Sequence, residues 1–66
     1  MIFTVSMTSG VEHDRVEGGI EVVQSRMSEM LLLTEDQIAA LLSAALDGGH
    51  AEYQQEHVRA WINTVH

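Results

Sequence analysis

The chain has 66 residues, no cysteine and a net charge of −7, which arises from ten acidic residues and only three arginines. A chain of this length forms a single small acidic domain, residues 1–66, and without cysteine it has neither a disulfide nor a thiolate zinc site. The shortage of basic side chains argues against direct binding to nucleic-acid phosphates or to an anionic membrane surface.

The N-terminal segment predicts a β-strand over residues 2–7. Phe3, Val5 and Met7 alternate with polar or smaller residues, which is the period of a strand with one buried face. Thr8-Ser9-Gly10 follows and is typical of a turn.

Residues 11–33 allow two interpretations. Apolar residues spaced by 4, 3, 4 and 3 positions predict a helix over 11–31; they are Val16, Ile20, Val23, Met27 and Met30. Gly18 and Gly19 oppose the helix, because each glycine costs about 1 kcal/mol in a helix interior. A break at this diglycine would instead leave strands at about 20–25 and 28–33, which would join strand 2–7 in an antiparallel sheet. We favour the sheet and keep the helix as the alternative.

The segment after Thr34 predicts a helix over about 35–46. Thr34 and Gln37 have the spacing of a capping box, and Glu35 and Asp36 place negative charge in the first turn, where the helix dipole favours it. One apolar face follows at helical spacing; its members are Ile38, Leu41, Leu42, Ala45 and Leu46. Gly48 is predicted to end the helix in the left-handed conformation.

The last segment predicts a second helix over about 51–64. Two neighbouring helical stripes support it: Tyr53, His57, Ala60 and Trp61 form one, and Val58, Ile62 and Val65 form the other. The short connection makes the two helices antiparallel neighbours. In this arrangement the apolar face of the first helix packs on Val58, Trp61, Ile62 and Val65, with Gly48 as the hinge. Trp61 is then a core residue, and Tyr53 faces a protein partner.

The sequence therefore predicts an α+β fold. N-terminal antiparallel strands, at about 2–7, 20–25 and 28–33, pack on a C-terminal antiparallel helical hairpin, at about 35–46 and 51–64. The alternative is a mostly α-helical chain with a helix over 11–31.

The sequence contains no pattern typical of a catalytic, cofactor or metal site. His50 and His57 would lie about 10 Å apart on one helix, and no HExxH occurs, so His13, His50, His57 and His66 predict no metal site. His57 is expected to be a partly buried, hydrogen-bonded residue. The serines and glycines match no nucleophile elbow and no phosphate-binding loop. We therefore expect no enzyme activity and no cofactor.

The apolar pattern bears on the compartment. The start of the chain has no basic residue before a long apolar stretch, so it does not resemble a signal peptide. No apolar run approaches the ~20 residues that cross a bilayer. The expected location is the cytoplasm.

These features favour a non-enzymatic protein-interaction module, a small acidic regulator or inhibitor of a protein partner. In a sharper form, its carboxylates mimic nucleic-acid phosphates and bind a basic or nucleic-acid-binding protein, in analogy to the small acidic antagonists of host defence that phages encode. The candidate partner-binding residues are Glu12, Asp14, Glu17, Glu21, Glu35, Asp36, Glu52, Tyr53 and Glu56.

Two other hypotheses belong to different classes. The apolar segment Met30-Leu31-Leu32-Leu33 would suit a small structural or dimerisation subunit, in which a second copy covers the apolar surface and forms a homodimer. The histidines would suit a module that binds a metal ion or another ligand, which added metal would reveal by raising the melting temperature.

Overall fold

The computed structural model describes residues 1–65, with the secondary-structure elements in the order β-β-α-α-β-β. They are β1 (Ile2–Ser9), β2 (Glu12–Gly18), α1 (Ile20–Leu31), α2 (Glu35–Gly48), β3 (His50–Gln55) and β4 (Val58–Val65). The α+β class, the first strand and the helix after Thr34 are confirmed. The arrangement of strands over a C-terminal helical hairpin is wrong, because the two helices lie between two β-hairpins.

The four strands form one antiparallel sheet in the order β2-β1-β4-β3. Two-residue turns join β1 to β2 and β3 to β4, and Gly10 supplies the positive φ of 64° that the first of these turns requires. The central pair, β1 and β4, brings Ile2 beside Val65. The edge strands β2 and β3 are rich in charged and polar residues, which discourages further strand pairing.

Both helices cover the same face of the sheet. Helix α1 packs on β1 and β2, and α2 packs on β3 and β4. Between the layers lies a single apolar core, to which the sheet and both helices contribute. Its buried members are Phe3, Val5, Met7, Val23, Met27, Leu31, Ile38, Leu42, Ala45, Ala51, Ala60 and Ile62. The opposite face of the sheet has no helix over it in the described part of the chain.

The predicted strands at 20–25 and 28–33 are wrong, because this segment forms α1. Val23, Met27 and Leu31 are buried at intervals of four residues, so the helical stripe, and not the glycine pair, decides the structure. The diglycine is the junction between β2 and α1, where Gly19 is the N-cap. The alternative helix over 11–31 is right only from Ile20 onward.

Strand β2 has little sequence signal of its own. Its residues are Glu-His-Asp-Arg-Val-Glu-Gly, and only Val16 packs against the core. The strand forms because its backbone pairs with β1 from Ser9↔Glu12 to Phe3↔Gly18. Pairing with a neighbouring strand therefore overrides the weak apolar pattern.

Helix α2 matches its predicted start. The backbone N–H of Gln37 donates to Thr34 Oγ1 at 3.2 Å, and the backbone N–H of Thr34 donates to Gln37 Oε1 at 3.0 Å, which completes the capping box. The helix ends two residues later than predicted, since Gly49 and not Gly48 takes the left-handed conformation. None of the helices in residues 1–65 is long and apolar enough to cross a membrane.

The predicted helix over 51–64 is wrong, because this segment is the β3–β4 hairpin. Inward-facing residues alternate along both strands, as Ala51 and Tyr53 do on β3 and Ala60 and Ile62 on β4. Its turn, Glu56-His57, contains none of the residue types that announce a hairpin.

The predicted packing of two helices on each other is also wrong in part. Ile38, Leu42 and Ala45 are buried as expected, but against the sheet. Trp61 and Val65 lie on the outer face of β4, and Leu46 is exposed. Gly48 belongs to α2 and is not a hinge.

Candidate functional site

A groove of about 630 Å³ runs between α1 and α2 on the outer surface of the helical layer. We call it the acidic groove; it is lined by Glu21, Gln24, Ser25, Ser28, Glu29, Glu35, Asp36, Ile38 and Ala39. Four of these residues are acidic and none is basic. The α1 residues follow the spacing i, i+3, i+4, i+7 and i+8 from Glu21, so one polar stripe of the helix forms one wall.

The apolar residues that line the acidic groove are Ile38 and Ala39 of α2. Two exposed apolar residues of the helical layer lie outside this lining. Val22 is 51% exposed and lies beside Gly18, at the end of β2. Leu32 directly follows α1 and is 87% exposed. Its φ of 57° places it in the left-handed region, which is unfavourable for a leucine. The groove itself therefore combines four carboxylates with two apolar residues.

Arg26 lies on α1 beyond the groove and is held by Asp14 of β2. Its Nε donates to Asp14 Oδ2 at 3.0 Å, and its Nη2 donates to Asp14 Oδ1 at 3.0 Å. The hydrogen bond from Arg26 lowers the pKa of the Asp14 carboxyl. This ion pair links edge strand β2 to α1, and Arg26 is the only arginine of α1.

The second surface is the side of the sheet that faces away from the helices, which we call the open sheet face. All its residues are exposed or half-buried. By strand register they are Ile2, Thr4, Ser6, Thr8, His13, Arg15, Glu17, His50, Glu52, Gln54, Arg59, Trp61, Asn63 and Val65. The only tryptophan of the chain is thus half-buried on this face and not in the core.

Charge is divided unequally between the open sheet face and the rest of the molecule. On the open sheet face, Arg15 and Arg59 balance Glu17 and Glu52, so its formal charge is zero when His13 and His50 are neutral. The other eight acidic residues and Arg26 carry the whole net charge of −7. The negative potential therefore lies on the helical side and its margins.

Both ring nitrogens of His50 form side-chain hydrogen bonds on the open sheet face. Its Nδ1 lies 2.7 Å from Asn63 Oδ1, and its Nε2 lies 3.2 Å from Glu52 Oε1. Both partners are acceptors, so only the imidazolium form donates to both. The hydrogen bond to Asn63 and then that to Glu52 raise the pKa of His50 above its ordinary value of 6.5.

The structure separates the nine residues that the sequence nominated for partner binding. Three of them, Glu21, Glu35 and Asp36, come together in the acidic groove. Glu17 and Glu52 lie at opposite edges of the open sheet face. The remaining four are dispersed: Glu12 at the start of β2, Asp14 in its ion pair, Tyr53 on the inner face of β3, and Glu56 in the β3–β4 turn.

Sequence reasoning missed Glu29, because it assigned residues 28–33 to a strand. The helical spacing from Glu21 to Glu29 was the signal that would have found it. The two aromatic residues of the last segment also exchange their predicted roles. Tyr53 packs against the core and donates its hydroxyl to Gln55 Oε1 at 2.6 Å, whereas Trp61 is on the outer face.

The histidines do not converge. His13 and His50 lie on opposite edge strands, and His57 is exposed in the β3–β4 turn, so its expected partial burial is wrong. His66 lies outside the described residues. Within residues 1–65, no group of three or more histidine or acidic side chains has a geometry suited to a metal ion.

Comparison with protein-family models, curated proteins and solved structures gave no significant match to this chain.

Proposed function

We propose that this chain is a non-enzymatic protein-interaction module whose acidic groove binds a basic, amphipathic helix of a protein partner. The observation that carries the proposal is the composition of the groove: four carboxylates and two apolar residues, Ile38 and Ala39, with no basic residue among the described residues that line it. The role we assign is that of a small acidic regulator or inhibitor, with the cytoplasm as the proposed compartment.

The charge of the groove supports a basic occupant. Glu21, Glu29, Glu35 and Asp36 place four mutually repelling charges around the groove, and within residues 1–65 no basic residue lines it. A ligand that brings lysine or arginine side chains relieves this repulsion, and the field of the helical side steers such a ligand toward it. The neutral open sheet face offers no comparable attraction.

The shape of the groove supports a helical occupant. A third helix can lie between two neighbouring helices with its apolar residues at i, i+3, i+4 and i+7 against them. The α1 residues that line the groove extend from Glu21 to Glu29, so the groove accommodates about 12 Å of ligand, or roughly two helical turns. Ile38 and Ala39 would then contact the apolar stripe of the ligand, and the carboxylates would contact its basic flanks.

Basic helices that bind nucleic acid belong to the class of ligands proposed here. A groove that presents carboxylates at the spacing of a helical surface competes with phosphates for the same lysine and arginine side chains. Binding of such a helix in the acidic groove would prevent the protein that contains the helix from binding nucleic acid through it. This is the inhibitory form of the proposal, and it requires no catalytic residue.

A titration with a defined peptide tests the proposal. The probe is a four-turn peptide with leucine at helical spacing and lysine elsewhere, and its control is a scrambled peptide of the same composition. We expect calorimetry to show binding of the amphipathic peptide at least ~10-fold tighter than of the scrambled one. The variant E29Q/E35Q/D36N should lose this preference.

A matched variant separates the groove from general charge. E12Q/D47N/E56Q also reduces the net charge by three, from −7 to −4, but none of its residues lines the groove. It should bind the amphipathic peptide like the wild type. Equal weakening by both triple variants would show that only net charge attracts the peptide, and the proposal would then fail.

A further inference from the structure

The open sheet face is arranged in rows that cross all four strands. One row contains Arg15, Ser6, Trp61 and Glu52 in that order, with the arginine at one edge of the sheet and the glutamate at the other. Oppositely charged groups thus lie at the two ends of a single row, with an aromatic residue near its centre.

The neighbouring row has the same property with the signs reversed. It contains Glu17, Thr4, Asn63 and His50 in that order. His50 is held by two acceptors and is therefore favoured in its cationic form. The edge strands β2 and β3 consequently carry complementary charges at the same levels along the sheet.

Two copies of the open sheet face can stack about a two-fold axis that lies between the two sheets and runs parallel to the strands, midway between β1 and β4. This axis would bring the complementary charges together. It places β2 of one copy over β3 of a second copy and β1 over β4, and it keeps every residue in its own row. Arg15 then faces the partner's Glu52, and Glu17 faces the partner's His50. Because the contact is isologous, each pairing occurs twice.

We propose that the open sheet face is the interface of a two-fold symmetric homodimer, with the open sheet face of a second copy of this chain as its occupant. This inference does not rest on the acidic groove.

The uncharged positions agree with the same operation. Ile2, which is exposed, faces the partner's Val65, so the two apolar side chains at that end cover each other. Trp61 faces the partner's Ser6, and the small serine leaves room for the indole. Arg59 faces the partner's Thr8, so no two like charges face each other across the interface.

The dimensions of the face suit a weak dimer. Four strands about 4.8 Å apart, with six to eight residues of about 3.3 Å each, give a face of roughly 450 Å². Two stacked faces bury on the order of 900 Å², which is the size of a weak interface. Twisted sheets pack at about 30°, which displaces edge rows by roughly one residue, and a long arginine side chain can span this displacement.

Charge exchange at the two edges tests the dimer. Sedimentation equilibrium of the wild type should show a mass that rises toward twice 7.3 kDa between roughly 1 and 500 μM. R15E and E52R each create like-charged pairs and should weaken dimerisation at least ~10-fold. The double variant R15E/E52R restores opposite charges and should return the dissociation constant to within about threefold of the wild type.

A control variant and a fold measurement accompany this series. E56R makes the same charge change as E52R but lies in the β3–β4 turn, off the open sheet face, and should leave dimerisation unchanged. Circular dichroism and melting temperature report whether each variant is folded. If a single variant does not fold, the same comparison is made with R15Q and E52Q, which remove the attraction without adding repulsion.

Three results would overturn the proposal. One is a wild-type mass that stays at 7.3 kDa throughout the series. Another is a double variant that remains as weak as the single ones, since a two-fold axis across the strands would pair Arg15 with Glu17 instead. The third is quenching of Trp61 fluorescence in monomeric protein by single-stranded oligothymidylate, which would assign the face to nucleic-acid bases stacked on the indole.

Discussion

At the scale of single residues, two side chains occupy backbone positions that favour glycine. Leu32 has a φ of 57° and Glu56 a φ of 56°. A left-handed conformation costs an L-residue roughly 1–2 kcal/mol, part of which glycine returns through the greater freedom of its unfolded chain. Neither side chain lies in the core, since Leu32 is 87% exposed after α1 and Glu56 is in the β3–β4 turn.

Replacement of Glu56 by glycine should therefore stabilise the fold. We expect Glu56→Gly to raise the free energy of unfolding by about 0.5–1 kcal/mol in urea denaturation. Glu56→Ala is the control, because alanine removes the same carboxylate but keeps the strain. Equal stability of the two variants would show that the positive φ is not the cause.

His50 should make stability depend on pH near neutrality. Its pKa is raised above 6.5, chiefly by the hydrogen bond to Asn63 and then by that to Glu52, so the folded state keeps its proton to higher pH than the unfolded state does. The stabilisation is fully present below 6.5 and is lost as pH rises through the folded pKa. Urea denaturation between about pH 5.5 and 8.5, on monomeric protein, should show this decline in the wild type but not in His50→Gln. The same pH dependence of stability in the wild type and in His50→Gln would contradict this prediction.

At the scale of elements, the two sides of β4 should respond differently to truncation. Ile62 is fully buried on the inner face, whereas Val65 is 47% exposed on the outer face. Ile62→Ala should cost about 2–5 kcal/mol and Val65→Ala less than about 1 kcal/mol in chemical denaturation. Similar costs would favour the helical stripe that unites Val58, Ile62 and Val65, and would contradict the hairpin.

The ion pair between Asp14 of β2 and Arg26 of α1 should make the stability of the fold depend on pH under acidic conditions. Arg26 holds the pKa of Asp14 below its ordinary value of 3.8, so the unfolded state binds a proton at higher pH than the folded state. The contribution is present above 3.8 and is lost as pH falls through the folded pKa. The free energy of unfolding should therefore fall more steeply with decreasing pH in the wild type than in Asp14→Asn. A variant with an equally steep profile would show that the ion pair is too weakly formed to matter.

The sequence predicted the elements that have strong local signals. The capping box of Thr34 and Gln37 locates α2, and the alternation at Phe3, Val5 and Met7 locates β1. Local pattern failed where distant pairing decides the structure. Strand β2 depends on β1, and β4 depends on being placed beside β1, a contact between residues 49 to 63 positions apart in the chain.

The candidate site was predictable to the same extent. Glu35 and Asp36 lie in the first turn of α2, as the sequence predicted, and Glu21 joins them only because α1 packs beside α2. The open sheet face was not predictable, because it exists only once residues 50–65 form a hairpin. A helix over that segment would place Trp61 in the core. The strand instead places Trp61 on the outer face of the sheet, whereas Tyr53 packs against the core on the inner face.

At the scale of the whole molecule, we propose separate roles for the two layers. The helical layer carries the acidic groove, and the open sheet face is neutral and self-complementary. A dimer through the sheets would turn both acidic grooves outward, on opposite sides of the assembly. Such a dimer presents two equivalent sites to partners, and a partner with two basic helices would gain avidity if its linker spans them.

The central claim is that the acidic groove, and not the net charge, selects a basic protein partner. The most direct measurement is affinity capture with chemical cross-linking from cells that make this protein, with E29Q/E35Q/D36N compared quantitatively against a charge-matched variant altered outside the groove. We predict a set of basic proteins that the wild type and the matched variant capture equally and the groove variant captures at least ~10-fold less. Equal recovery by the two variants would contradict the account.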